Sequence, residues 1–305
     1  MKKPLFIGCG TALVTPFSNG EVDFPALGQL IDRQLTGGAD ALIVCGTTGE
    51  PASLTQEEKD RILSLALEKA AGRIPVIAGT GCNCTKLTIL QSLRAQSLGA
   101  DGLLIVTPYY NKTTQPGLIA HYTAVADAVS LPIILYNVPA RTGVNMLPET
   151  AARLCAHPNI IGLKEAGISL PAAAEFLRLT DGSAALYSGN DDQVLPMLSL
   201  GAQGVISVVS NLVPQLVHEM TARWLEGDVQ AARRIQLQLL PLCRALFSEV
   251  SPIPVKGALE MLGLCSGEMR LPLVPLTAPA KAALASALSS LGLMKERAET
   301  GAEGG

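Results

Sequence analysis

The chain has 305 residues, 48% of them hydrophobic and 16% charged, with a net charge of −3. That length suits one large domain or a domain with an appendage. The charge leaves no basic footprint for nucleic acid, and no apolar run approaches the ~18 residues of a membrane span. The seven cysteines are an odd number, scattered and largely within apolar segments (Cys45, Cys155, Cys243), so no disulfide framework follows. The opening Met1–Cys9 has only Leu5–Ile7 as an apolar segment, far short of the ~7–15 residues of a secretory signal. It reads as the lead into a first strand, and the protein is expected in the cytoplasm.

Turn signals divide the chain into a regular alternation of strands and helices. Strands are predicted at Leu5–Val14, Ala41–Cys45, Pro75–Ala78, Gly102–Val106, Pro132–Tyr136, Ile160–Lys164, Ala185–Ser188 and Gly204–Val208. Between the second and third, Thr55-Gln-Glu-Glu58 has the form of a capping box, with Ile62, Leu65, Ala66 and the stem of Lys69 on one helical face. Gly38-Ala-Asp, Gly99-Ala-Asp and Gly201-Ala-Gln each carry a helix-ending glycine into a strand, a weak internal repeat. Eight units with no Gly-x-Gly-x-x-Gly loop favour a (β/α)₈ barrel over an open doubly wound sheet. The barrel is expected to fill residues 1–225. Helical patterns at Ala231–Phe247, Val255–Leu262 and Ala278–Leu291 predict a helical C-terminal region over 226–296, with a loose tail over 297–305.

Chemistry in such barrels sits at the C-terminal ends of the strands. Reading those ends in order collects Thr47-Thr48-Gly49-Glu50, Asn83, Tyr109-Tyr110, Tyr136-Asn137 with Arg141, Lys164, Ser188-Gly189-Asn190 and Ser207 on one rim. Lys164 is the residue out of place, an ammonium closing the apolar run Asn159-Ile-Ile-Gly-Leu. It either pairs with a carboxylate such as Glu165 or serves as a neutral nucleophile that forms a Schiff base with a carbonyl substrate. The convergence of polar residues favours the second. Tyr136 is either a capped core residue or a proton shuttle on the neighbouring strand. Thr47 and Thr48 offer hydroxyls and N–H groups to a small carboxylate, and Arg141 a guanidinium to a second one. The histidines His121, His157 and His218 all fall in helical segments and away from that rim. Cys82-Asn-Cys84 lacks zinc spacing, so neither a metal nor a cofactor is expected.

Gly46-Thr-Thr-Gly-Glu50, Val106-Thr-Pro-Tyr-Tyr-Asn111, Tyr136-Asn-Val-Pro-Ala-Arg-Thr-Gly143 and Gly162-Leu-Lys-Glu-Ala166 together resemble the motif set of the dihydrodipicolinate synthase family, among the pyruvate-dependent class I aldolases. The resemblance runs from about Ile7 to Leu293. It implies condensation of pyruvate with aspartate semialdehyde through an imine on Lys164, with protons passed by Tyr136, Thr47 and Tyr110. It implies Thr48, Gly189 and Ile206 around pyruvate and Arg141 on the semialdehyde carboxylate. It also implies a tetramer of tight dimers in which Tyr110 crosses to the partner subunit. Lysine-inhibited members hold their effector at positions matching Pro51, Ala52, Gln56, Lys59, Asn83, Cys84, Leu87 and Tyr109, with a glutamate at the position of Leu87 and histidines at those of Gln56 and Lys59. The departures here imply weak inhibition or none. A sister aldolase acting on a sugar acid would share the Lys164–Tyr136 pair, and a barrel that only binds 2-oxo acids is the remaining alternative of another class.

Overall fold

A computed structural model describes residues 2–167 and 169–294. The predicted tail at 297–305 lies outside the described residues. Eight parallel strands close into a barrel: β1 (Gly8–Ala12), β2 (Ala41–Val44), β3 (Val76–Gly79), β4 (Gly102–Val106), β5 (Ile133–Asn137), β6 (Ile160–Glu165), β7 (Ala185–Ser188) and β8 (Gly204–Ser207). Each pairs with its neighbours in sequence, and β8 returns to β1. Among the described residues a principal helix fills each connection: α1 (Phe24–Thr36), α2 (Gln56–Ala70), α3 (Thr85–Leu98), α4 (Gln115–Ala128), α5 (Pro148–Leu154), α6 (Leu170–Thr180) and α7 (Val194–Leu200). An eighth, α8 (Pro214–Leu225), follows the last strand and packs on β1. The architecture is the predicted (β/α)₈ barrel.

The strands are short and apolar because both their faces are covered. Outward residues such as Leu42, Leu103, Leu135 and Leu163 pack under the helices. Inward residues Ile43, Ile77, Leu104, Ile134 and Tyr187 fill the barrel itself, so its interior is a core and not a pore. Phe6, just before β1, closes that core from the N-terminal side. Its ring stacks on Tyr187 at 4.5 Å, and its carbonyl accepts from the Tyr187 hydroxyl at 2.8 Å. This packing explains why the first strand is shorter than the predicted Leu5–Val14. The Lys2 ammonium, donating to the carbonyls of Cys155, His157 and Ile160, ties the N-terminal segment to the turn before β6.

Local signals act as written. Thr55 and Glu58 form the reciprocal capping box that opens α2. The buried face of α2 is Ile62, Leu63, Ala66 and Ala70, with Leu63 in place of the expected Leu65 because it lies three residues before Ala66 on the core side. Asn19-Gly20, both at positive φ, turn a two-residue ribbon of Phe17–Ser18 against Glu21–Val22 that the sequence reading passed over. His121 and His218 lie in α4 and α8, but His157 does not sit in a helix as predicted. It occupies the turn after α5, where the following Pro158 disfavours helical backbone.

Three further helices follow: α9 (Val229–Leu246), α10 (Ile253–Met261) and α11 (Ala278–Ser290). α9 packs along α8, and α11 lies against both α9 and α10. α10 is buried from Ile253 to Leu259. Its Lys256, fully enclosed, bonds Glu50 of the β2 rim loop at 2.7 Å and sits 4.2 Å from the Phe17 ring centre. Among the described residues no helix is long and apolar enough to cross a membrane.

Candidate active site

Lys164 reaches the barrel interior because β6 contains a bulge. Ile160 pairs with the outward Ile133, but the next pair is Gly162 with the inward Ile134, leaving Ile161 as the extra residue. Strand side chains alternate faces, so one extra residue exchanges the faces of everything after it. Without it Lys164 would stand opposite Asn137 and point into the helical layer. With it, Lys164 pairs with Tyr136, and Glu165 takes the outward place opposite Asn137. Gly162 is required at this point, since a Cβ there would meet the Ala185 carbonyl oxygen at 2.4 Å.

The lysine side chain is 5% exposed, and its Nζ lies 4.3 Å from the centre of the Tyr136 ring. Among the described residues it makes no ion pair. The simple pairing with Glu165 is ruled out by geometry, because that carboxylate faces away and accepts from Asn137 Nδ2 at 3.0 and 3.2 Å. A buried amine and a buried phenol ring therefore share the mouth of the barrel.

Other predicted residues lie on the strands and loops of the same rim. Thr47–Gly49 is a single 3₁₀ turn after β2, with Thr48 buried and Thr47 half-buried. Thr15 Oγ1 donates to the Gly49 carbonyl at 2.8 Å and holds the turn down. Gly189, after β7, donates its N–H to the Glu165 carbonyl at 2.7 Å. A Cβ on Gly189 would come within 2.6 Å of that of Ala166, so only glycine lets the backbone approach here. Ile206 on β8 is fully buried in the inner cluster. Arg141 lies on the exposed one-turn helix Pro139–Thr142, one Nη donating to the Ser251 carbonyl at 2.8 Å.

Tyr110 is not gathered in with the rest. It is 90% exposed, with φ +69°. Tyr109 and Leu87 of α3 are also exposed, at 37% and 49%. Gln56 and Lys59 lie half-buried in the first turn of α2. Asn83 is in the loop before α3, where its carbonyl accepts from Asn111 Nδ2 at 2.9 Å.

Sequence reasoning missed Asp191. This buried carboxylate, just past Asn190, accepts from the Ser207 hydroxyl, from Val208 N at 2.9 Å and from Val209 N at 3.2 Å. Burial pushes its pKa up, and those hydrogen bonds and the Lys164 charge oppose the rise. The available signal was Asp191-Asp192 directly after a rim strand. Its partner Ser207 stands on the outer face of β8, among the predicted rim residues but with no role assigned by the sequence.

The sequence pattern of the Dihydrodipicolinate synthetase family matches residues 5–291. The chain belongs to the dihydrodipicolinate synthetase family. It is 52% identical over 294 residues to the 4-hydroxy-tetrahydrodipicolinate synthase of Thermoanaerobacter sp. (strain X514), covering 96% of this chain and 99% of that one. The crystal structure of the Thermotoga maritima dihydrodipicolinate synthase superposes with a TM-score of 0.94 at 44% identity, over 95% of this chain and all of that one. The chloride-inhibited Acinetobacter baumannii enzyme, crystallised with pyruvate, gives 0.92 at 42% identity over 94% and 99%. Likeness over nearly the full length of each chain includes the helices after the barrel, so the family resemblance extends to the region that encloses Lys256 and Glu50.

Proposed function

We propose that this dihydrodipicolinate synthetase family member condenses pyruvate with L-aspartate 4-semialdehyde to 4-hydroxy-tetrahydrodipicolinate, a step in diaminopimelate and lysine biosynthesis. The observation that carries the reading is Lys164, turned into the barrel by the β6 bulge and set over the Tyr136 ring with no ion-pair partner among the described residues. Its amine adds to the pyruvate C2 carbonyl, and loss of water gives an imine. Loss of a C3 proton gives an enamine, whose carbon attacks the semialdehyde aldehyde, the new alkoxide taking a proton. The substrate amine then adds to the imine carbon, closing the ring and releasing Lys164. Tyr136, with Thr47 and Tyr110, passes these protons. Thr48, Gly189 and Ile206 bound the pyruvate, and Arg141 binds the semialdehyde carboxylate.

Borohydride added with pyruvate should trap a covalent adduct on Lys164, and Lys164→Arg should abolish trapping while the protein stays folded. Label on another residue, or none, overturns the mechanism. The same incubation with aspartate semialdehyde or a sugar aldehyde, followed by product identification, separates this reaction from that of a sister aldolase.

The exposed Tyr110, Tyr109 and Leu87 support a face covered by a second copy, which would bring Tyr110 to the partner's site. We take the working form to be a tetramer of such dimers. Seven free thiols suit the reducing cytoplasm. Lysine should inhibit weakly or not at all, since Leu87 offers no carboxylate to its ammonium and Lys59 adds a like charge. One missing charge-assisted hydrogen bond costs about 1.5–3 kcal/mol, roughly ten- to a hundredfold in affinity. Initial rates across a lysine titration test this, and strong inhibition at submillimolar lysine would refute it.

A further inference from the structure

Glu165 is a buried carboxylate that the reaction does not use. It stands on the outer face of β6, directly after Lys164, and is 8% exposed. Its oxygens accept from Asn137 Nδ2 and, at 2.5 Å, from Gly167 N. Asn137 follows Tyr136 on β5, as Glu165 follows Lys164 on β6. The side-chain bond therefore clamps the two strands one residue beyond the reacting pair.

The clamp extends in two directions. Asn137 Nδ2 also donates to Asn145 Oδ1 at 2.9 Å, and Asn137 Oδ1 accepts from Met146 N at 2.9 Å. These contacts hold the far end of the segment that carries Arg141. On the other side, the Glu165 carbonyl receives Gly189 N, the loop beside the pyruvate position. Packing does not lock this outer face, for a cavity of about 270 Å³ opens beside it, lined in part by Pro139, Met146, Leu163 and Phe176. Hydrogen bonds must do the holding.

We propose that Glu165 is a positioning residue that acts through Asn137, aligning Lys164 with Tyr136 and seating the Arg141 turn. The proposal rests on Lys164 as the imine-forming residue. It predicts damage to two separable quantities, adduct formation and semialdehyde binding, from a side chain that touches neither substrate.

The test compares wild type, Glu165→Ala, Glu165→Gln and Asn145→Ala, each below its unfolding transition. Borohydride trapping with pyruvate comes first, because a wild type that traps nothing on Lys164 refutes the mechanism and not the clamp. Given wild-type trapping, Glu165→Ala should slow adduct formation at saturating pyruvate at least tenfold and raise the semialdehyde KM at least fivefold. Glu165→Gln keeps an acceptor for Gly167 and should stay within about threefold of wild type, a distance-dependent effect of the order expected when reacting groups shift by fractions of an ångström. Asn145→Ala, a surface change that spares the strand clamp, should raise the semialdehyde KM alone. Its measurement decides the loop half of the proposal even where Glu165→Ala does not fold. Trapping rate and KM within twofold of wild type in Glu165→Ala overturn the proposal. So do equal losses in the alanine and glutamine variants, or an unchanged KM in Asn145→Ala.

Discussion

At the scale of single residues, the proposed roles are separable because each side chain offers one chemical group. Tyr136→Phe keeps the ring beneath Lys164 Nζ and removes only the hydroxyl. kcat should then fall by about 10²–10⁴, the scale of a positioned acid–base group, with the KM for pyruvate little changed. Arg141→Ala should raise the KM for aspartate semialdehyde and leave borohydride trapping of pyruvate intact; steady-state kinetics beside trapping rates check both. Arg141 is exposed and gives up a single half-buried bond to the Ser251 carbonyl, so the fold should tolerate the change. His121 reports on stability instead. Its Nδ1 lies 2.9 Å from Thr85 Oγ1, its Nε2 has no partner among the described residues, and burial lowers its pKa. The unfolded chain therefore binds the proton first as pH falls. His121 contributes most stability above about pH 6.5, its ordinary value, and loses it as pH drops from there toward the folded pKa. Thermal unfolding from pH 7.5 to 5 should show a shallower decline in His121→Leu than in wild type.

At the scale of elements, β6 decides the site. Its bulge places Lys164 inward, and Gly162 permits the strand to lie against β7. Gly162→Ala puts a methyl 2.4 Å from the Ala185 carbonyl oxygen, and backbone must move to admit it. Overpacking of this kind costs about 1–3 kcal/mol. A shift near 1 Å at Lys164 would slow trapping about a hundredfold. Calorimetry and borohydride trapping together check the prediction, which fails if trapping is unimpaired in a folded variant.

At the scale of the whole molecule, an enclosed ion pair helps fasten the helices after the barrel to its candidate rim. Lys256 is fully buried and Glu50 nearly so, and Glu50 follows the Thr47–Gly49 turn. Burial pushes the lysine pKa down, and Glu50 pulls it back. Removing one partner of such a pair leaves an uncompensated charge and costs about 3–5 kcal/mol. Lys256→Met should show that loss in urea denaturation, and Lys256→Met with Glu50→Gln should recover part of it. A double variant no more stable than Lys256→Met would mean that packing around α10, not charge, is what the lysine supplies. Because the pair is anchored beside Thr48, the single variant should also weaken pyruvate binding.

The sequence by itself determined the strand–helix alternation, the closed barrel and the rim on which the polar residues gather. Those follow from local physics: apolar runs with turn residues at regular spacing, a capping box at Thr55, and strand ends that all point one way. It also singled out Lys164, whose charge breaks an apolar run. Tertiary structure alone decided which way that lysine faces. Residues Ile160 to Lys164 read as one continuous buried strand, and only the pairing with β5 shows that Ile161 is the extra residue. Tertiary structure alone likewise joined Glu165 to Asn137, Asp191 to Ser207 and Lys256 to Glu50, partners 28, 16 and 206 residues apart. A hydrogen bond between buried groups depends on distances that chain closure sets. Nothing in the local pattern of either partner records them.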